Sequence, residues 1–512
     1  MPKNADQDPA THRVLIANRG EAARRLIRTF RKLEVETIAV YSDADKGALF
    51  VEEADFSINI GAAPSNESYL RLDKLIEAGK ERSATALHPG WGFLSENPDL
   101  ATAVESEKWI FIGPTSEQAR DLGDKVTARK LAEAAGVPCT PAWSPEKQEQ
   151  GDAEPSLEDW TRQSEIIGYP LLVKAVSGGG GKGMRIVRDS SALKDAIHSA
   201  RREALSSFND DRLFLEKLIE PARHIEVQVV GDGFGDVAIL GDRECSLQRR
   251  HQKLVEEAPA PHIEKDIRQL MHSAAKNLAI SVNYRGAGTV EFLLDSSGEN
   301  YYFLEMNTRL QVEHPVTEEA YGVDLVELQW LVAIGKKLPS NLDGKSPCAH
   351  SIEIRVNAEN PSENFIPSTG RLLDCCWPSF EGIRVDSGIR SGDTVTPYYD
   401  AMLAKIIATG DSREQAKDRL IQAIDCTSIS PLQTSISLGR DLLKSEEFSS
   451  GKFYTRMIET DWGEWCSPVI PESWETPLRA MAKKLLTTET KSRKSRQRRR
   501  GTCWDNLEGV LP

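Results

Sequence analysis

Residues 14–33 read VLIANRGEAARRLIRTFRKL: a short apolar run, a polar turn and a helix-forming segment. The apolar residues of that segment recur at helical spacing and would share one face: Leu26, Ile27, Phe30 and Leu33. Further short apolar runs at 37–41, 84–87 and 109–112 alternate with helix-like segments. This alternation predicts a parallel sheet covered by helices on both faces.

The turn at residues 18–21, Asn-Arg-Gly-Glu, follows the first predicted strand. Such turns are where parallel α/β sheets bind ligands, but this one lacks the spaced glycines of a dinucleotide-binding fingerprint. A plain strand-to-helix connection therefore fits it as well as a binding role does.

Charge and length limit the class of protein. The 512 residues suffice for two to four domains, and 64 Lys and Arg against 78 Asp and Glu give a net charge of −14. That balance argues against nucleic-acid binding by the body of the chain. No apolar run reaches the length of a membrane span, the first residues resemble no targeting segment, and the cysteines are scattered. We therefore expect a cytoplasmic protein with no membrane partner.

A glycine run follows a predicted strand at residues 171–184, LLVKAVSGGGGKGM. The strand would deliver Lys174, and the glycines would allow the backbone to approach a phosphate chain closely. The spacing is not that of a Walker loop. A bare glycine run is more often a flexible surface loop, but the lysine on the preceding strand favours phosphate binding.

Carboxylates and an amide lie on a predicted hairpin. Alternation along residues 303–309 puts Glu305, Asn307 and Arg309 on one strand face and points Leu304 and Met306 into the core. Glu291 would lie on the partner strand, across a turn at 296–300. An all-oxygen site of this kind suits Mg²⁺ bound with nucleotide phosphates. A solvated strand face with a salt bridge is the alternative.

Two further segments carry charge. Residues 310–315, LQVEHP, leave this strand and place Glu313 near Arg309, which suits acid–base work on a small anion. Residues 245–253, CSLQRRHQK, form a basic cluster in an acidic chain, and such a charge run is ordinarily a solvated basic edge.

In order, these segments resemble the biotin carboxylase family of ATP-grasp enzymes over about residues 12–455. The resemblance is carried by IANRGE (16–21), HPGWGFLSEN (88–97), GDKVTA (123–128), RHIEVQV (223–229), SLQRRHQK (246–253), EMNTRLQVEHPVTE (305–318) and PYYDAMLAK (397–405). It implies a multidomain fold of the α/β and α+β classes. The parts would be a Rossmann-like domain (12–123), an ATP-grasp domain (124–340) with a mobile lid at about 140–210, a β-rich C-terminal domain (348–456) and a flexible tail (457–512).

The resemblance also implies a role for each matching residue. ATP would be bound by Lys125, Lys174, Gly180, Gly181, Glu216, Lys217, His224 and His251. Mg²⁺ or Mn²⁺ would be held by Glu291, Glu305 and Asn307. Bicarbonate would be held by Lys253, Arg309 and the backbone at Gln311 and Val312. Glu313 would be the base, and Arg355 would stabilise the biotin enolate.

The expected activity is ATP-dependent carboxylation of biotin, the first half-reaction of an acetyl-CoA or acyl-CoA carboxylase, as in fatty acid biosynthesis. None of the seven methionines adjoins a lysine, so the biotin-carrier motif is missing and biotin should arrive on a separate biotin carboxyl carrier protein. A carboxyltransferase subunit would complete the system, and the resemblance implies a homodimer. The alternatives are a regulatory subunit without turnover and an ATP-grasp ligase for another carboxylate.

The sequence departs from the family pattern at several places. Trp91 replaces a usual Tyr, Ser177 a usual Gly, and Asn360 a usual Asp close to Arg355. Residues 427–436 lack the usual Gly-x-x-Thr-Asn, and we expect that segment to serve packing. The basic run at 491–500 fits a solvated end better than a binding segment.

Overall fold

The computed structural model describes residues 12–145, 155–177 and 183–467. The chain forms two compact units, residues 1–465 and residues 466–512. Of the second unit, only Cys466 and Ser467 are described. The glycine run and the basic segment at 491–500 lie outside the described residues. No helix in the described ranges is long and apolar enough to cross a membrane.

The N-terminal part is a parallel sheet in the order β3-β2-β1-β4-β5. Its strands are β1 Arg13–Ile16, β2 Glu36–Ser42, β3 Phe56–Gly61, β4 Ala86–His88 and β5 Ile110–Phe111. The helices of this region are α1 Gly20–Lys32, α2 Leu49–Glu53, α3 Leu72–Glu81, α4 Pro98–Ser106 and α5 Ser116–Gly123. The predicted face of α1 is buried at Leu26, Ile27 and Phe30, while Leu33 lies just past the helix end and is half-buried.

A smaller sheet follows, in the order β6-β9-β7-β8. Its strands are β6 Ala142–Trp143, β7 Leu171–Ala175, β8 Met184–Val187 and β9 Leu213–Lys217, with helices α6 Lys125–Ala134, α7 Leu157–Ile167 and α8 Leu193–Phe208. Strand β7 carries Lys174, as predicted. This sheet and helix α8 enclose their own apolar cluster.

The large sheet is antiparallel, in the order β14-β13-β10-β11-β12-β15-β22-β20. Its strands are β10 Ala222–Asp232, β11 Val237–Arg249, β12 Gln252–Ala258, β13 Arg285–Asp295, β14 Tyr301–Asn307, β15 His350–Asn357, β20 Ile383–Ser387 and β22 Met402–Gly410. The pairing of β12 with β15 joins the predicted ATP-grasp and C-terminal regions in one sheet. Residues from both regions therefore meet on its surface.

Short strand pairs and helices complete the described chain. The strands are β16 Glu359–Asn360, β17 Ile366–Pro367, β18 Gly370–Arg371, β19 Asp374–Cys376, β21 Thr394–Val395 and β23 Ser428–Ser430. The helices are α9 Lys265–Ser281, α10 His314–Tyr321, α11 Leu325–Ala333, α12 Arg413–Asp425, α13 Ile436–Lys444, α14 Glu446–Ser450 and α15 Met457–Thr460. Helix α10 begins directly after Glu313 and so fixes the position of that carboxylate.

Candidate active site

Lys253 lies at the centre of a buried ionic network. Its Nζ is 2.6 Å from Glu226 Oε2, 2.9 Å from Glu291 Oε1 and 2.5 Å from Glu313 Oε1. These carboxylates are less than 5% exposed. Burial opposes the charge on the lysine, but the surrounding carboxylates outweigh it and raise the pKa of Lys253 well above its ordinary value. The ammonium therefore stays protonated and keeps the carboxylates together.

Arg355 continues this network onto strand β15. Its Nη2 donates to Glu313 Oε2 at 2.9 Å, and its Nε donates to Glu256 Oε1 at 2.6 Å. Burial works against an ionised Glu313, but Lys253 and Arg355 overcome it and hold the pKa of that carboxyl well below its usual range. Glu313 is thus an ionised carboxylate in a dry site, which is the protonation state a base requires.

The predicted hairpin of Glu291 and Glu305 is confirmed, with one correction. Glu291 lies directly opposite Glu305 across β13 and β14, but the register shifts by one residue beside it, so Phe292 faces Phe303. The shift breaks the expected alternation: Phe303 enters the core beside Met306, and Leu304 is only half-buried. The prediction that Leu304 points into the core is wrong, because a bulge gives the strand one extra residue there.

The sequence predicted Arg309 on the same strand as Glu305 and Asn307. That prediction is wrong, because strand β14 ends at Asn307 and Arg309 lies beyond it. Arg309 nevertheless stays close, because its Nη2 donates to Asn307 Oδ1 at 3.2 Å and its Nη1 to Gln311 Oε1 at 2.9 Å. The Asn307 amide nitrogen donates to Glu291 Oε1 at 2.9 Å. The oxygens of Glu291, Glu305 and Asn307 suit a hard cation, provided that the Asn307 amide rotates.

The residues predicted to bind nucleotide gather near β7 and β9. Lys174 Nζ donates to Glu216 Oε2 at 2.7 Å, and Glu216 also accepts from Thr140 Oγ1 at 2.7 Å. Lys217 Nζ donates to the carbonyls of Gly168 and Tyr169, both at 3.0 Å. Lys174 is 4% exposed, so its ammonium group is largely shielded from water. Gly180 and Gly181 lie outside the described residues.

Lys125 and the two histidines border this region. Burial lowers the pKa of Lys125, and Glu305 is the main charge opposing that shift. His224 Nε2 lies 3.0 Å from Glu291 Oε2, so the histidine reaches the predicted metal strand. His251 lies in the tight β11–β12 turn with φ +66°, and its side chain is exposed. The structure thus brings Lys125 and His224 close to the β13–β14 hairpin that carries Glu291 and Glu305, called the acidic hairpin below. His251 remains exposed in the β11–β12 turn.

An open cavity of about 460 Å³ contains Lys253, Arg309, Val312 and Arg355 in its lining. The turn at residues 18–21 and Trp91 also line it. The turn after the first strand therefore borders the cavity, while Asn18 donates to the carbonyls of Pro89 and Trp91 and Arg19 pairs with Asp45. The cavity combines fixed cations with an aromatic wall, a setting for a small anion beside a flat heterocycle.

The sequence did not predict a role for several residues of the site, among them Glu226, Arg243 and Glu256. Arg243 is fully buried, donates to Glu226, and reaches Gln228 Oε1 at 2.7 Å. Glu226 lies two residues after His224, so it shares a strand face with that histidine. That alternation was the available signal. No sequence pattern could place Arg243 or Glu256, because their partners come from distant strands.

The departures from the family pattern have local explanations. Asn360 accepts from Ser362 N at 3.1 Å and caps the 3₁₀ helix Pro361–Glu363, so its side chain serves the turn. In the altered segment at 427–436, Ser435 Oγ donates to Arg355 O at 3.0 Å and accepts from Asn357 N at 3.0 Å. That segment therefore packs against the strand that carries Arg355.

The fold and site define an ATP-dependent ligase of the ATP-grasp class. Residues 124–341 match the family model for the ATP-binding domain of the carbamoyl-phosphate synthase L chain. Residues 10–119 match the N-terminal domain of biotin carboxylase, and residues 353–460 match its C-terminal domain. The chain belongs to the biotin carboxylase family. The fold class expected from the sequence is thereby confirmed.

Individual relatives agree. Biotin carboxylase of Haemophilus influenzae is 44% identical over 454 residues, 88% of this chain and 99% of that protein. The mitochondrial methylcrotonoyl-CoA carboxylase subunit alpha of Rattus norvegicus is 45% identical over 447 residues, 87% of this chain, and the match spans only 61% of the rat protein. The biotin carboxylase domain of Hydrogenobacter thermophilus 2-oxoglutarate carboxylase, a dimer solved with MgADP, ADP and bicarbonate, has a TM-score of 0.84 at 40% identity, covering 89% of this chain and 99% of that one.

Proposed function

We propose that this chain carboxylates biotin with ATP and bicarbonate, as the first half-reaction of an acetyl-CoA or acyl-CoA carboxylase. The observation that carries the proposal is the array of Lys253, Glu313 and Arg355 at an open cavity, in which each oxygen of one ionised carboxylate accepts from a different cation. This array offers a base between two anion-binding groups. Such a pairing suits a reaction in which bicarbonate loses its proton beside a developing enolate.

Bicarbonate would lie against Lys253, Arg309 and the backbone at Gln311 and Val312. Attack of a bicarbonate oxygen on the γ-phosphorus of ATP gives carboxyphosphate and ADP. Glu313 then takes the hydroxyl proton of carboxyphosphate, and cleavage of the bond between carbon and the phosphate oxygen releases CO₂ and fully deprotonated phosphate. This phosphate removes the N1 proton of biotin, and N1 attacks the CO₂ carbon to give carboxybiotin. Arg355 stabilises the enolate oxygen of biotin, since its guanidinium stays charged throughout.

The nucleotide would lie between β7, β9 and the acidic hairpin. Lys125 and Lys174 would contact its phosphates with the backbone at Gly180 and Gly181, and Glu216, Lys217, His224 and His251 would complete the binding site. Mg²⁺, when bound, would neutralise negative charge on the phosphates. Glu291, Glu305 and Asn307 would hold it, since all three offer hard oxygen donors.

We propose further that biotin arrives on a separate carrier protein, that a carboxyltransferase subunit uses the product, and that the chain works as a cytoplasmic homodimer. The dimeric Hydrogenobacter domain supports the last point. The chain would divide into the regions 12–123, 124–340 with a lid at about 140–210, 348–456 and a tail. The family matches at 10–119, 124–341 and 353–460 support this division.

The test is ATP hydrolysis by the purified chain with Mg²⁺ and bicarbonate, with and without free biotin. Turnover should require bicarbonate, rise with biotin, and be lost in Glu313→Ala and Arg355→Ala. A matched control is Arg384→Ala, which removes a half-buried arginine paired with Glu318 and Asp386 that is absent from the cavity lining. Nucleotide binding without turnover would instead identify a regulatory subunit, and turnover with another carboxylate but not bicarbonate would identify a different ATP-grasp ligase.

A further inference from the structure

Two buried glutamates lie directly opposite each other on neighbouring strands. Glu256 of β12 and Glu353 of β15 are cross-strand partners in antiparallel register, and both are 0% exposed. Directly opposite residues point to the same face of a sheet, with Cβ atoms about 5 Å apart. Two carboxyl groups are thus held close together away from water, although the proposed chemistry uses neither.

The surroundings of this pair are apolar. Ile407 of β22 lies opposite Glu353, and Ala258 lies two residues along β12 from Glu256. Both belong to an apolar cluster that includes Val316 of helix α10. This cluster packs on the sheet face that the glutamates share with Arg355 and Lys405, and both glutamates are fully buried there, so hydration cannot stabilise their negative charges.

The hydrogen bonds of the pair are incomplete. Glu256 Oε1 accepts from Arg355 Nε at 2.6 Å, whereas Glu256 Oε2 and both oxygens of Glu353 have no hydrogen-bond partner among the described residues. Arg355 also serves Glu313. The Arg355 guanidinium therefore already donates to two carboxylates, Glu256 and Glu313, and donates to neither oxygen of Glu353.

The nearest other cation is already engaged. Lys405 Nζ lies 3.1 Å from Glu21 Oε1 and donates to the Val312 carbonyl at 2.8 Å. The titratable and charged groups that act on the pair are Arg355, Lys405, Lys253, Glu313 and Cys245. Their arrangement leaves Glu353 without an ion-pair partner in the described part of the chain.

We propose that Glu256 and Glu353 share one proton at neutral pH and act as a single buried anion that positions the Arg355 guanidinium. Full ionisation would place two negative charges side by side with Arg355 paired to only one of them, whereas one retained proton lets Glu353 donate to the vacant Glu256 Oε2. Burial raises the pKa of Glu256 to about 7, and it raises the pKa of Glu353 well above its ordinary value. Both directions agree with a retained proton.

The pair would act through Arg355, and this part of the inference rests on the proposed function. With its proton, the pair presents one anion to Arg355 Nε, so Nη2 stays directed at Glu313. When the proton leaves at high pH, the second anion competes for the guanidinium and draws it from the cavity. Glu256 and Glu353 are therefore positioning residues.

The first test does not depend on any activity. A carboxyl whose pKa is raised on folding contributes stability below its unfolded pKa of about 4.3 and loses it as pH rises towards the folded pKa. Glu353→Gln imitates the protonated form, so its Tm should exceed that of the parent chain by ~2 °C or more near neutral pH, and the gain should grow with pH. Glu257→Gln is the matched control, since Glu257 is buried on the same strand but paired with His350 and Arg413, and its Tm should fall.

Infrared difference spectra of the parent chain should contain the C=O stretch of a protonated carboxyl at neutral pH, absent in Glu353→Gln. Absence of that band in the parent chain, or a Tm loss in Glu353→Gln equal to that of Glu257→Gln at every pH, would overturn the proposal. Both readouts remain decisive if the chain hydrolyses no ATP, so the failure of the shared proton is distinguishable from the failure of the proposed function.

In the ATPase assay, Glu256→Leu should lower kcat about tenfold or more with an unchanged KM for ATP, because Arg355 loses a charge-assisted bond. Glu256→Gln should restore part of the activity, since its amide oxygen can still accept from Arg355. Glu353→Gln should remove the alkaline fall in kcat, and Glu257→Gln should keep it. An identical alkaline limb in Glu353→Gln and the parent chain would overturn the positioning role.

Discussion

Replacing Glu313 with Gln tests the centre of the site most directly. The substitution keeps the shape of the side chain but removes the charge that Lys253 Nζ meets at 2.5 Å and Arg355 Nη2 at 2.9 Å. Lys253 keeps Glu226 and Glu291 as partners, and Arg355 keeps Glu256, so no cation is left unpaired. The variant should therefore fold.

The loss should appear in turnover. A positioned base contributes about 100- to 10,000-fold to rate, so kcat of Glu313→Gln should fall by that factor, equivalent to about 3–5 kcal/mol. The KM for ATP should change by less than about threefold, because Glu313 is not among the residues proposed to bind ATP. Steady-state bicarbonate-dependent ATP hydrolysis, together with thermal unfolding, measures both quantities.

Glu318→Gln is the matched control for this experiment. Glu318 lies on helix α10, is 4% exposed and is held by Arg25 and Arg384, but it is absent from the cavity lining. Its loss should lower Tm and leave kcat nearly unchanged, the reverse of the Glu313→Gln pattern. A Glu313→Gln enzyme with kcat within about threefold of the parent chain would refute the assignment of Glu313 as the base.

Three further outcomes follow from the structure. Arg243→Met leaves Glu226 with Lys253 alone in a fully buried position, and urea unfolding should show a loss of about 3–5 kcal/mol. Gly231→Ala brings a Cβ within 2.1 Å of the Tyr284 carbonyl oxygen, so the same assay should show a loss of about 1–3 kcal/mol. Burial opposes ionisation of Glu257, but its bonds to His350 and Arg413 outweigh burial and lower its pKa. In thermal unfolding, the stability of the parent chain should therefore fall as pH drops below about 4.3, and it should fall less steeply in Glu257→Gln.

Local patterns in the sequence predicted the parts of the fold that local physics controls. Helical spacing identified the buried face of α1, and the apolar run at 171–174 identified strand β7 with its lysine. The hairpin of Glu291 and Glu305 followed from its turn. The bulge at Leu304 did not, because one extra residue in a strand changes the register without leaving a compositional mark. Strand β3 was missed, although its residues FSINIG alternate apolar and polar types as a half-buried strand does.

The ionic network could be predicted only in part. Matching motifs supplied Lys253, Glu313 and Arg355, which lie in different segments of the chain. Glu256, which pairs with Arg355, and Arg243, which pairs with Glu226, carry no local signal, because the sheet brings these partners together from different strands. The β12–β15 pairing is the decisive contact, since it joins Lys253 and Glu256 on one strand to Arg355 on the next.

The same network would also prepare the proposed binding site for a small anion. Lys253 and Arg355 both direct their charge at Glu313, whose carboxylate fills the position between two cations that a bound anion would share. In the proposed function, an incoming bicarbonate would compete with that carboxylate, and this competition would bring the bicarbonate proton next to the proposed base. Because the cations are already desolvated and fixed, little reorganisation remains when the substrate enters. Under that proposal, anion binding and proton removal would both depend on one preformed array of Lys253, Glu313 and Arg355.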